Sequence, residues 1–173
     1  MEVIDLSVPI YTGMKVYPGD PEVLIKIVHT YKEKNWLLRK ISFGSHTGTH
    51  VDAFSHMDKK GMTLDDIPIS SFFGRACAVK TSDELPAQVG LIFTDIPDIP
   101  LFTAIIAANP TFVGGNEITI PLQKVLLQRG IVTFTGLANL HLLPENRNFM
   151  FYGFPLKIKN GDGSPVRAVA VID

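Results

Sequence analysis

The segment HTGTHVDAFSH, residues 46–56, constrains the fold of this chain more than any other part of the sequence. Its histidines and aspartate are spaced H-x3-H-x-D-x3-H, and this spacing is incompatible with two regular backbones. On an α-helix, Asp52 would lie about 200° around the axis from His50 and point away from it. On a straight strand, His46 and His50 would lie about 13 Å apart, too far to share a ligand. The chain must therefore curl between them, and Gly48 permits the curl because glycine adopts backbone angles that other residues avoid.

The residue types in this segment are those of a metal site. His46, His50 and Asp52 supply two imidazoles and one carboxylate, a set that suits Zn²⁺ and could also hold Mn²⁺ or Fe²⁺. Three protein ligands leave a position for water, whose pKa a metal ion lowers toward ~7. His56 could then act beside that water as general acid or base. The alternative is that the histidines only cap helices or bond to backbone carbonyls.

Composition indicates an ordinary globular protein. Hydrophobic residues make up 46% of the 173 and charged residues 19%, with a formal net charge of −1. Because no basic stripe is present, we expect no nucleic-acid partner. Residues 1–10 do not resemble a signal peptide, and the longest apolar stretch, 101–108, is far below the roughly 20 residues of a membrane span. The single Cys77 cannot form an internal disulfide. These features predict a cytoplasmic protein with no membrane partner.

Eight segments rich in β-branched and aromatic residues predict strands, and two others predict helices. The helices are expected at 101–108 and 118–128, the second with Asn116 as N-cap, Pro121 in its first turn and Gly130 at its end. Because strands outnumber helices, the sequence predicts an α/β fold with a mixed or antiparallel sheet, in a single domain spanning 1–173. The predicted strands are 2–6, 23–30, 37–45, 73–80, 90–94, 131–135, 149–158 and 166–172.

With these residues identified, the chain resembles the cyclase family of metal-dependent hydrolases, which includes bacterial kynurenine formamidases and isatin hydrolases. The hallmark of that family, H-x-G-T-H-x-D-x-x-x-H, is matched at every fixed position by residues 46–56. Residues 5–21, 72–80, 126–140 and 155–171 are also similar to family segments, so the resemblance covers most of the chain. It implies a swivelling β/β/α fold, a homodimer or higher homo-oligomer, and hydrolysis of an amide or lactam C–N bond in a small molecule.

The resemblance also implies roles for individual residues. It makes His46, His50 and Asp52 ligands of a first metal ion, with Asp52 bridging to a second ion. It makes His56 the residue that transfers the proton. It places Tyr17 against the substrate, although this ring could equally pack on its own turn.

Three positions depart from the family pattern. Gln123 and Thr135 stand where relatives carry a histidine and a bridging glutamate, and neither is a strong ligand for these metals. Asn116 stands where relatives tend to have an acidic residue, and the stretch between 93 and 112 is shorter than in relatives. These departures predict one ion per site in place of two.

Two functions follow from these expectations. The first is a mononuclear hydrolase that uses Zn²⁺, or alternatively Mn²⁺, with metal-bound water as nucleophile and His56 as proton donor and acceptor. The second is a catalytically degenerate relative that binds a metal or small molecule without turnover, which the changes at Gln123 and Thr135 favour. A serine hydrolase is disfavoured because the chain has no G-x-S-x-G segment.

Overall fold

The structure is a computed structural model that describes residues 1–145 and 147–173. In this part of the chain, eleven β-strands and three α-helices are joined by loops and short 3-10 turns. The helices are α1 (Tyr31–Lys34), α2 (Phe102–Ala108) and α3 (Ile120–Gln128). The strands are β1 (Glu2–Asp5), β2 (Leu24–His29), β3 (Leu38–Ser42), β4 (His50–Asp52), β5 (Phe73–Val79), β6 (Gly90–Phe93), β7 (Phe112–Gly115), β8 (Val132–Thr135), β9 (Asn148–Tyr152), β10 (Gly163–Pro165) and β11 (Val169–Ile172).

Nine of these strands form one mixed sheet in the order β1-β11-β9-β5-β6-β7-β8-β4-β10. The central strands β5 to β8 are parallel. Every other pairing described in this sheet is antiparallel. Strands β2 and β3 form a separate two-stranded hairpin. The α/β class with a mixed sheet, predicted from the sequence, is confirmed.

The centre of the sheet is buried on both faces, as parallel strands require. Side chains alternate along β6, so Leu91 and Phe93 join one hydrophobic cluster while Ile92 joins the other. Leu122 and Leu126 of α3 belong to the same cluster as Leu91 and are fully buried. Each such side chain stabilises the fold by roughly 1.5–3 kcal/mol relative to its exposed state. This packing fixes α3 against the sheet.

Strand β4 carries the central part of the histidine segment. It lies between β8 and β10 and is antiparallel to both. The register places His50 opposite Thr135 of β8, and Asp52 opposite both Thr133 of β8 and Gly163 of β10. Residues from three distant parts of the sequence therefore meet at β4.

All eight predicted strands and both predicted helices overlap observed elements, with corrections at their ends. The predicted N-cap Asn116 is wrong, because its Nδ2 donates to Leu137 O at 3.1 Å and α3 begins three residues after Glu117. The N-cap position of α3 is Thr119, with Pro121 in the first turn as expected. The strand predicted at 149–158 ends at Tyr152, and a proline at 155 limits its extension.

Strands β4, β7 and β10 and the short helix α1 were not predicted from the sequence. Strands β4 and β10 have three residues each, too few to show a period of two, and β7 shows no alternation of apolar and polar residues. Two glycines in β7 and a glycine with a proline in β10 lower their strand propensity further. These strands are stabilised by hydrogen bonds to neighbouring strands of the sheet more than by the strand propensity of their own residues.

Candidate metal centre

The backbone between His46 and β4 curls as the spacing of the segment predicts. Gly48 has a φ of +63°, in the left-handed region that favours glycine. Its carbonyl oxygen lies 2.8 Å from His50 Nδ1. Because a carbonyl only accepts, Nδ1 of His50 carries the proton and donates it to Gly48 O. The other ring nitrogen, Nε2, therefore carries a lone pair, and it lies on the side of Asp52.

Asp52 is the anionic centre of the site and is 0% exposed. Its Oδ1 lies 2.8 Å from His46 Nδ1 and 3.4 Å from His50 Nε2. Its Oδ2 accepts hydrogen bonds from Gln123 Nε2 at 2.6 Å and Thr133 Oγ1 at 2.7 Å. Burial by itself would raise the pKa of Asp52, but the hydrogen bond from His46 holds that pKa well below its usual range. The carboxylate is thus ionised. Its Oδ2 accepts the hydrogen bonds from Gln123 and Thr133, and its Oδ1 faces the two imidazoles.

His46 lies between two carboxylates. Its Nδ1 faces Asp52 Oδ1, and its Nε2 lies 3.0 Å from Asp162 Oδ2. Burial opposes the charged ring, but the hydrogen bond and charge of Asp52, assisted by Asp162, raise the pKa of His46 above its ordinary value. Because carboxylates only accept, each ring nitrogen must present a positive group, which is a proton on Nε2 and either a proton or a metal ion at Nδ1.

The His46 ring is also held by a close backbone approach. A Cβ atom at Gly163, on β10, would lie 2.5 Å from His46 Cε1. Any larger residue at this position would therefore displace the ring. The glycine lets β10 and the imidazole occupy adjacent space, which fixes the ring in the plane where it meets both carboxylates.

His56 stands beside the two histidines on a 3-10 turn, Phe54–His56. Its ring centroid lies 3.9 Å from that of His46, and its Nδ1 lies 3.9 Å from Asp162 Oδ2. Burial and the neighbouring charge of His46 lower the pKa of His56 below its ordinary value. His56 is therefore neutral at neutral pH and has a nitrogen able to accept a proton.

Two of the three residues that depart from the family pattern, Gln123 and Thr135, lie in this site. Gln123, on α3, is 7% exposed and its amide also lies 3.3 Å from Thr133 Oγ1. Thr135, on β8, has its hydroxyl 2.9 Å from His50 Nε2, to which it donates. Both therefore act as hydrogen-bond partners of candidate metal ligands, Gln123 of Asp52 and Thr135 of His50.

The donor atoms of His46, His50 and Asp52 fit a single metal ion. All three lie within 4.8 Å of one another. Ligand atoms about 2.1 Å from a tetrahedral Zn²⁺ are separated by roughly 3.4 Å, and the two separations to Asp52 Oδ1 are 2.8 and 3.4 Å. A second group, His46, His56 and Asp162, also lies within 4.8 Å. Because a neutral imidazole offers one lone pair, His46 can serve only one of the two groups at a time.

Sequence reasoning did not identify Asp162 or Thr133. Asp162 lies in the run Asn160-Gly161-Asp162-Gly163, whose residue types indicate only a turn. Thr133 lies in a buried strand and has no local neighbour of catalytic type. Tyr17, predicted to contact substrate, lies in an exposed turn where Asp20 N donates to Tyr17 O at 3.0 Å, and 65% of its surface is open to solvent. The role of Tyr17 stays a prediction.

A mixed α/β sheet that brings two histidines and a buried aspartate to one point defines the class of metal-dependent hydrolase-like proteins. The chain belongs to the cyclase family. The model of that family, described as "Putative cyclase", matches residues 4–105, more than half of the chain. In the described part of the chain, no helix is both long enough and apolar enough to cross a membrane.

Known proteins are similar to this chain along nearly its whole length. A kynurenine formamidase of Salinibacter ruber is 30% identical over 207 residues, covering 98% of this chain and 97% of the relative. An uncharacterized protein of Methanocaldococcus jannaschii is 31% identical over 196 residues, covering 99% and 100%. The structure of isatin hydrolase A from Labrenzia aggregata, bound to benzyl benzoate, superposes with a TM-score of 0.86 at 21% identity, covering 99% and 94%. This last similarity shows that the fold is shared.

Proposed function

We propose that the protein hydrolyses an amide or lactam C–N bond of a small molecule, using one divalent metal ion held by His46, His50 and Asp52. Zn²⁺ is the preferred ion and Mn²⁺ the alternative, since the donor set has two nitrogens and one oxygen. The relatives named kynurenine formamidase and isatin hydrolase support this class of substrate. Residue His56 is the proton donor and acceptor.

One observation carries the metal assignment. Each of the two ligand histidines has one ring nitrogen committed to an acceptor outside the ligand set, His46 to Asp162 and His50 to Gly48. Metal-binding histidines almost always make such a bond, because it fixes the tautomer and the ring orientation. The remaining nitrogens, His46 Nδ1 and His50 Nε2, both face Asp52 Oδ1. The positive group that His46 Nδ1 requires there is supplied by the ion.

The surroundings of Asp52 support one ion in place of two. Its Oδ2 accepts from Gln123 and Thr133, so only Oδ1 is available to a metal. A carboxylate that bridges two metal ions binds one ion with each oxygen, or binds both ions through one oxygen. Here Gln123 occupies the position from which a second ion would draw its imidazole, and it donates a hydrogen bond where a ligand would donate a lone pair.

When bound, the ion would activate a water molecule and polarise the substrate carbonyl. A residue of the protein would then transfer the proton that the water loses. His56 is neutral because its pKa is lowered, and its Nδ1 lies on the side of Asp162. A neutral imidazole has one nitrogen with a lone pair, so His56 can accept a proton as water attacks the carbonyl carbon and return it to the nitrogen that leaves.

A degenerate, non-catalytic protein is the second candidate, and a specific observation favours it. Thr135 donates to the lone pair of His50 Nε2, which a metal ion would need. With His46 doubly protonated, the network is satisfied without an ion. In this alternative the site is a structural polar cluster between β4, β8 and β10.

The two candidates are separated by metal analysis combined with turnover. Protein purified without chelator is measured for Zn, Mn and Fe content, and activity is assayed on formyl-anilide and lactam substrates with added Zn²⁺ or Mn²⁺. We expect one ion per chain and turnover that is lost in His56→Ala while the ion is retained. His141→Ala, which removes an exposed histidine outside the site, is the matched control and should keep both properties. Protein that binds no ion and stays inert with added metal would establish the degenerate alternative.

A further inference from the structure

Thr49 lies between the hinge residue Gly48 and the candidate ligand His50, and it has no part in the proposed chemistry. The residue is 2% exposed. Its hydroxyl donates to Gly136 O at 2.6 Å and accepts a hydrogen bond from Val8 N at 2.9 Å. One side chain therefore joins three parts of the chain: the segment after β1, the hinge of the histidine segment and the turn after β8.

Both partners of this hydroxyl belong to residues that touch Gly48. A Cβ atom at Gly48 would lie 3.3 Å from Val8 Cγ2, so the valine side chain packs against the hinge. A Cβ atom at Gly136 would collide with Gly48 O, so the turn after β8 passes directly against that carbonyl. Gly48 O is the atom that accepts the Nδ1 proton of His50. The position of this carbonyl thus depends on the two segments that Thr49 ties together.

The turn after β8 also reaches the other nitrogen of the His50 ring. Thr135, directly before Gly136, donates to His50 Nε2 at 2.9 Å. A shift of Gly136 would therefore disturb the hydrogen-bond partners of both ring nitrogens. The orientation of a metal-binding imidazole is set by the bond that its second nitrogen makes, so such a shift would reach the metal site.

We propose that Thr49 is a positioning residue, which holds Gly48 O in the place where it orients the His50 ring for metal binding. This role rests on the proposed function, in which His50 is a ligand. Removal of the hydroxyl would leave Val8 N–H and Gly136 C=O without this partner. Backbone groups shielded from water rarely remain unpaired, so both segments would shift toward other partners. The hinge would follow them, and His50 would lose its fixed orientation.

The test compares Thr49→Val, which removes the hydroxyl at nearly constant shape, with Thr49→Ser, which keeps it. Solvent exchange of the His50 Nδ1 proton is measured by NMR in the metal-free protein. We expect Thr49→Val to speed this exchange by about tenfold, the effect of losing one hydrogen bond, and Thr49→Ser to exchange as the wild type does. Thr47→Val removes another buried hydroxyl from the same segment and is the matched control. It should leave the exchange rate unchanged even if it lowers the melting temperature.

Equal exchange rates in Thr49→Val and the wild type would overturn the proposal. So would a Thr49→Ser protein that behaves like Thr49→Val, because the methyl group and not the hydroxyl would then hold the hinge. Thr49→Cys covers the case in which Thr49→Val does not fold, since a thiol is only a weak donor and acceptor. It should exchange faster than Thr49→Ser, and equal rates in these two variants would contradict the role of the hydroxyl.

Zinc titration of the same variants connects the hydroxyl to metal binding. We expect Thr49→Val to bind Zn²⁺ about 10–100-fold more weakly than the wild type, and Thr49→Ser to bind it as the wild type does. Faster exchange in Thr49→Val without a change in Zn²⁺ affinity would overturn the link to the metal. A wild-type chain that binds no ion would defeat the proposed function, whereas the exchange rates would still decide whether Thr49 positions His50.

Discussion

The side-chain amide of Gln123 donates to Asp52 Oδ2 across 2.6 Å, inside a site where relatives are expected to carry a metal-binding imidazole. This bond divides the two oxygens of Asp52 between a protein donor and the face shared by two histidines. It also explains how a buried carboxylate is tolerated, because an unpaired buried charge is strongly destabilising. Where a histidine would be expected to bind a second metal ion, Gln123 instead donates a hydrogen bond to Asp52, a candidate ligand of the first ion.

Replacing Gln123 by leucine removes a donor from a buried carboxylate. We expect the free energy of unfolding of the metal-free protein to fall by about 1–3 kcal/mol, the cost of an unsatisfied buried acceptor. Urea unfolding measures this change, and Gln128→Leu, at an exposed position on the same helix, is the matched control. An unchanged midpoint in Gln123→Leu would mean that the bond to Asp52 contributes little.

Asp162 orients His46 and so should affect metal affinity without being a ligand. We expect Asp162→Asn to weaken Zn²⁺ binding by about 10–100-fold, as is typical for the residue that accepts from a metal-bound histidine. Calorimetric titration of the metal-free protein measures the dissociation constant. Asp20→Asn, which makes the same change in an exposed turn, should bind Zn²⁺ as the wild type does. Equal affinity in both variants would contradict the assigned role of Asp162.

If His50 binds a metal ion as proposed, Thr135 competes with that ion for the lone pair of His50 Nε2. Thr135→Val keeps the shape of the side chain and removes the hydroxyl, and we expect Zn²⁺ to bind about two- to tenfold more tightly, corresponding to one hydrogen bond of 0.5–1.5 kcal/mol. The same calorimetric titration measures the change. Weaker binding in this variant would instead show that the hydroxyl helps to hold the ion or its water.

The raised pKa of His46 predicts opposite pH trends for metal affinity and for stability. A proton at Nδ1 competes with the ion, so Zn²⁺ affinity should fall as the pH drops below that pKa, by up to about tenfold per pH unit for one displaced proton. Without metal, the protonated ring stabilises the folded chain. This contribution is fully present below the unfolded pKa of 6.5 and is lost as the pH rises through the folded value.

Titrations from pH 5 to 8, with and without Zn²⁺, measure both trends. His46→Gln should flatten the His46 contribution to each curve, while His141→Gln should leave the curves as in the wild type. Metal affinity that is constant across this range would show that no proton leaves Nδ1 on binding.

The local sequence was enough to predict the candidate ligand set and the α/β class of the fold. His46, His50 and Asp52 are close along the chain, and Gly48 between them has the one backbone conformation that lets their donors converge. Because only seven residues span His46 to Asp52, the approach of their side chains can be deduced from their spacing in the sequence. Eight of the strands and the two longer helices could likewise be predicted, because their residue types or their ends are recognisable in the sequence.

The tertiary structure alone decided what surrounds those ligands. Asp162 lies 116 residues from His46, and Thr133 lies 81 residues from Asp52, yet both touch the site because β10 and β8 flank β4. Those pairings involve β4 and β10, strands of three residues that are too short to show a period. Their register is set by the packed sheet as a whole, and the hydrogen bonds that orient His46 and occupy Asp52 exist only once that register has formed.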